Sequence, residues 1–141
     1  MKKFNFSLEK VLRLREFEEK EAKIDLGKAI AEGDRLKLEL ENVAQERVQA
    51  NRMRTSNATV SDLVTIDNYC MRLDLLKEQL IEEIAQAEII IENKRKVFSE
   101  KMKNRKVLSK LKEKKIVQWK KEVLDAEEKV IDDVVTAKYN S

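Results

Sequence analysis

Histidine and proline are absent from this chain of 141 residues, cysteine occurs once and glycine twice. Without histidine, the commonest general base and the usual zinc ligand are missing. A single cysteine, Cys70, cannot form an intrachain disulfide. There is no glycine-rich phosphate loop and no nucleophile elbow. These gaps predict a protein that is not an enzyme, with no catalytic residue, no metal site and no cofactor.

Long apolar runs are missing too. The longest isoleucine string, "III" at 89–91, is bounded by Glu88 and Glu92, which excludes a membrane span. "MKKFNFSLEK" at the start has two lysines but no apolar stretch behind them, so no secretory signal is expected and the reading is a soluble cytoplasmic protein. Aromatics make up only 5% of the chain, too few for a compact sheet protein.

What is present is charge. Lys+Arg number 30 and Asp+Glu 27, 40% of the chain together, interleaved with Leu, Ala, Ile and Val. That composition is helical. The only cluster of turn and capping residues is "TSNATVSD" at 55–62, within which Thr59 and Asp62 have the spacing of a capping box. The expected fold is all-α: an elongated antiparallel two-helix coiled-coil hairpin forming a single domain over 1–141. Helix one is expected at about 7–55, the turn at about 55–61 and a longer helix two at about 61–137.

Seven-residue spacing supports this. Leu8, Ala22, Ala29, Leu36, Val43 and Ala50 share one register, with Leu12, Leu26 and Leu40 four residues beyond it. In the second helix Ile66, Leu73, Leu80 and Ala87 repeat, joined by Cys70, Ile84, Ile91 and Phe98. Cys70 on this seam reads as a buried, unreactive thiol. A further row, Phe17, Ile24, Ala31 and Leu38, widens the apolar stripe of the first helix or docks another protein. Gly27 and Gly33 each cost about 1 kcal/mol within a helix, and either a close helix approach or a slight bend would justify them.

The helices are of unequal length, roughly 70 Å against roughly 115 Å at ~1.5 Å per residue. Folding about residue 57 pairs Leu8 with a residue near 107 and leaves roughly 30 residues of helix two uncovered. Ile116, Trp119, Val123, Ala126, Val130, Val134 and Ala137 form an apolar stripe there, a candidate binding surface.

Charge is polarised along the same helix. Residues 94–121 hold 13 Lys/Arg against Glu100 and Glu113, a net +11. The hairpin sets "EFEEKE", 16–21, opposite "NKRKVF", 93–98, which neutralises part of this charge. Lysines 110–121 lie beyond that partner. Such a segment is also what an electrostatic binder of anionic membrane or nucleic acid would carry, and an uncovered stripe also buries against a second copy of itself.

Two aromatics open the chain. Ser7 has the chemistry of an N-cap, Phe6 occupies the position before it and Val11 lies four residues inside the helix, the spacing of a hydrophobic staple. Phe4 is a second clamp or an exposed anchor for a partner. The candidate partner-binding residues are therefore Phe4, Phe6, Arg13, Arg15, Lys112, Lys115, Ile116, Trp119, Lys120 and Val123.

"FNFSLEKVLRLREFEEKEAK" at 4–23 and "LSKLKEKKIVQWKKE" at 108–122 resemble the flagellar export protein FliJ family, across essentially the whole chain. The resemblance implies a coiled-coil hairpin similar to the gamma stalk of rotary ATP synthases. It further implies a cytoplasmic component of the flagellar type III protein export apparatus at the inner face of the membrane, needed for flagellum assembly and motility. Its implied partners are the hexameric export ATPase FliI, whose assembly it promotes, the export gate protein FlhA and the export chaperones; nucleic acid is not among them.

Overall fold

A computed structural model describes residues 3–140, which form two helices packed against each other and no strand. Helix α1 spans Glu9–Arg52 and α2 spans Val60–Tyr139. Contacts divide the described chain into two compact units: 3–21 with 99–140, and Ala22–Phe98. Within each unit a stretch of α1 runs antiparallel to a stretch of α2, giving a helical hairpin.

In the unit Ala22–Phe98 the seven-residue rows become the core. Leu36, Val43, Leu73, Leu80 and Ala87 form one buried cluster, with Leu40 and Ile84 packed against it. Ala22, Ala50 and Cys70 are buried as well. Gly33 is also buried: a Cβ at this position would stand 3.0 Å from Ile91 Cδ1, whereas one at Gly27 would meet nothing within 4 Å. Close approach therefore accounts for Gly33, and Gly27 lies in open space. Ile24, Ala31 and Leu38, on the side of α1 turned away from this seam, are exposed.

Ion pairs frame the seam. Lys37 meets Glu88 at 3.4 Å and Arg47 grips both carboxylate oxygens of Asp74 at 3.1 and 3.4 Å. On the other flank Tyr69 donates its hydroxyl proton to Glu46 at 3.1 Å. That bond to a carboxylate, reinforced by partial burial, raises the Tyr69 pKa.

The turn works without glycine, for no non-glycine residue described has a positive φ. Helix α1 closes as the Met53 and Arg54 N–H groups donate to the carbonyls of Ala50 and Asn51, each at 3.2 Å, an i→i+3 tightening of the last turn. Helix α2 opens with the reciprocal pair that the sequence spacing predicts. The Thr59 N–H donates to Asp62 Oδ2 at 3.0 Å and the Asp62 N–H to Thr59 Oγ1 at 3.1 Å. These two bonds hold the Asp62 carboxyl below the ordinary aspartate pKa.

The turn also shifts the pairing register away from a symmetric fold about residue 57. Met53, Thr55, Asn57 and Ala58 line a concavity with Asp62, Thr65 and Ile66 of α2, so the connecting segment lies beside the first turns of α2. Arg54 is tied to Asp67 across it. Those first turns are thus used up against the loop, and α1 pairs with residues further along α2 than a symmetric turn allows.

Candidate partner-binding site

The unit of 3–21 with 99–140 contains most of the residues singled out for partners. Three cross-helix ion pairs set its register: Lys112 to Glu9 at 2.9 Å, Arg105 to Glu19 at 2.6 Å and Lys101 to Glu18 at 3.7 Å. Glu9 therefore stands opposite Lys112, which corrects the expected pairing of Leu8 with a residue near 107. It likewise corrects the match of 16–21 with 93–98. The ion pairs of the other unit are displaced in the same direction, Arg47 to Asp74 and Lys37 to Glu88, whereas a turn centred on residue 57 assumes that pairing starts at the first turn of α2.

Lys112 is accordingly no unpartnered lysine of the overhang but half of an internal bridge. Arg105 binds Glu19 through both Nε (2.6 Å) and Nη2 (3.2 Å), a fork that raises its pKa. Arg13 is mostly exposed and 3.8 Å from Glu9, while Arg15 is half-buried and pairs with Glu18 at 3.1 Å. Lys115 and Lys120 are exposed, as are Lys110, Lys114 and Lys121.

The chain enters α1 one residue later than the Ser7 cap predicts. The Phe6 carbonyl accepts from the Glu9 N–H at 3.1 Å and the Leu8 carbonyl from the Leu12 N–H at 2.8 Å, which places Leu8 in the cap position. Leu8 is 36% exposed, not part of the seam. The staple gives way too: Phe6 is 7% exposed but Val11 38%. Phe6 instead shares a concavity with Lys115, Gln118 and Trp119 of α2, so an aromatic at this position serves as core under the second helix.

Phe4 resolves in the same direction. Its ring centroid lies 5.9 Å from that of Trp119 at an interplanar angle of 59°, the tilted geometry that aromatic quadrupoles favour. Both residues are half-buried, as are Ile116 and Val123. Among the described residues Trp119 is thus the last paired layer rather than part of an uncovered stripe, and the overhang begins beyond it.

Past this layer α2 continues to Tyr139. A shallow apolar concavity there is lined by Trp119, Glu122, Val123, Ala126, Glu127, Val130 and Ile131. Val130, Ile131, Val134 and Val135 are each 58–61% exposed. Val117, Leu124 and Ile131 escape notice when only the seam-facing stripe is followed, and their seven-residue spacing is the signal that finds them. The tail itself is acidic: 122–139 holds six Asp/Glu against two Lys, a net −4.

Among the described residues no cluster of His, Cys, Asp or Glu is arranged to hold a metal ion. None of the helices is long and apolar enough to cross a membrane. Chemically the site offers a surface: an apolar helical face with acidic edges, next to exposed lysines. A family model described as flagellar FliJ protein matches residues 4–141. No curated protein and no solved structure matches the chain.

Proposed function

The chain belongs to the flagellar FliJ family and so is a component of the flagellar export apparatus, and we propose that it acts there as a coiled-coil stalk for the export ATPase FliI. In this reading it binds the ATPase, promotes assembly of its hexameric ring, and contacts the gate protein FlhA and the export chaperones at the cytoplasmic face of the inner membrane. Binding and positioning are its work, and no chemistry is assigned to its side chains.

One observation carries the proposal. Helix α2 outruns α1 and then the segment that precedes it at the Phe4–Trp119 layer, and the seam-facing stripe continues past it as Val123, Ala126, Val130 and Val134 with nothing in α1 left to cover it. A helix presenting anchors at three- and four-residue steps suits insertion into an apolar groove. The paired layers behind it supply stiffness, and Phe4, Phe6, Ile116 and Trp119 fix the direction in which the tail leaves. Lys115 and Lys120 lie beside that exit and are assigned to the rim of the contact, together with Arg13.

Binding of an anionic membrane or nucleic acid through 94–121 is less well supported. Lys101, Arg105 and Lys112 are spent on carboxylates of α1, and the acidic tail that follows repels such a ligand. The test is ATPase binding by the Val123→Asp/Val130→Asp variant, with helicity checked by circular dichroism. The stalk reading expects intact helicity and a loss of binding of tenfold or more; unchanged binding would remove the tail from the mechanism.

A further inference from the structure

A second face of α2 remains after the stalk face is assigned. Val107, Val117, Leu124, Ile131 and Val135 are each 58% or more exposed, and with Lys110, Lys114, Lys121 and Glu128 between them they complete an unbroken run of alternating three- and four-residue steps. At ~100° per residue, Leu124 stands about 140° around the helix from Trp119, well clear of the stripe that continues the seam.

This face crosses the boundary where charge changes sign, from net +11 over 94–121 to net −4 over 122–139. Reflection about Lys121, the operation relating two antiparallel copies by a two-fold axis, brings its residues into register. Val107 falls opposite Val135 and Val117 next to Leu124. Lys114 falls opposite Glu128 and Lys110 opposite Asp132. One exception corresponds as well: Glu113, acidic in the basic block, falls opposite Lys129, basic in the acidic block.

We propose that this face is a self-association surface, on which two copies pair antiparallel about Lys121 with the basic block of each against the acidic block of the other. The order of the two blocks favours a second copy over a foreign partner. A polyanion would engage the basic block alone and be repelled by the acidic one, whereas the reversed sequence of this same helix satisfies both. The apolar positions are separated by charged ones and the ion pairs lie at the surface, so the dimer is weak and sensitive to salt.

Sedimentation equilibrium of the full chain across a range of concentrations tests this. Low ionic strength should drive the mass from 16.5 kDa toward twice that value, and half-molar salt should return it to the monomer. Lys110→Glu/Lys114→Glu and Glu128→Lys/Asp132→Lys should each be monomeric alone, because each sets like charges together. An equimolar mixture of the two should dimerise again, since all four pairs are restored, as should the variant carrying all four changes. These positions are exposed, and circular dichroism confirms that the helices persist. A monomer at every concentration overturns the proposal; so does a dimer indifferent to the single-block reversals, or one that the mixture fails to restore.

Discussion

The Phe4 ring lies 5.9 Å from Trp119, tilted by 59°, and closes the last layer in which the N-terminal segment meets α2 among the described residues. This layer marks where the stripe proposed for partner binding starts. Before it the α2 seam is covered; after it the same stripe is open. It also makes the only tryptophan of the chain a reporter of whether the layer is closed.

Phe4→Ala removes the ring contact and should cost about 1 kcal/mol with a red shift of Trp119 emission. Phe6→Ala removes a side chain only 7% exposed and should cost about 3 kcal/mol. Chemical denaturation followed by tryptophan fluorescence measures both. A Phe4→Ala spectrum identical to that of the parent would mean that the layer is not closed in solution.

Glycine substitutions separate packing from helix propensity. Gly27→Ala meets nothing within 4 Å and should stabilise by about 1 kcal/mol. Gly33→Ala gains the same propensity but forces Ile91 Cδ1, 3.0 Å from the new Cβ, to give way. Its net effect should fall below that of Gly27→Ala. Equal gains at both positions in thermal melts would show that the helices do not approach closely at Gly33.

Removing the α2 cap by Thr59→Ala should cost about 1 kcal/mol. The partner carboxyl of Asp62 has a lowered pKa, through its bonds with Thr59. Its contribution is therefore complete above the ordinary aspartate value and is lost as pH falls through the lowered one. Melts of the parent and Asp62→Asn should differ at neutral pH and converge in acid; a gap that persists at low pH would separate the effect from this carboxylate.

Arg105 and Glu19 form the half-buried fork of the cross-helix ion pairs. A double-mutant cycle with Arg105→Met and Glu19→Gln should give a coupling of about 0.5–1 kcal/mol. Raising the salt should diminish it only partly, because burial limits screening. Zero coupling would mean that another α2 residue stands opposite Glu19.

Much of this architecture is readable in the sequence because its signals are local and periodic. The rows through Leu36 and Val43 and through Leu73 and Leu80 become the core where seven-residue spacing places them, and Thr59 with Asp62 caps α2 as their spacing requires. Register is different. It depends on how the 53–59 segment lies against Thr65 and Ile66, a packing choice that no periodicity records. A symmetric turn therefore misplaces Lys112 and Trp119, and with them the start of the overhang. Phe6 is a similar case: the spacing of a hydrophobic staple suggests Val11 as its partner, but the larger apolar surface offered by α2 prevails.

The most direct test of the central claim is ATP turnover by the purified export ATPase with and without this protein, with the oligomeric state followed by light scattering in the same samples. A stalk that promotes ring assembly should raise turnover and shift the ATPase toward its hexamer, and Val123→Asp/Val130→Asp should abolish both effects while remaining helical. Turnover and assembly unchanged by the parent protein would contradict the account.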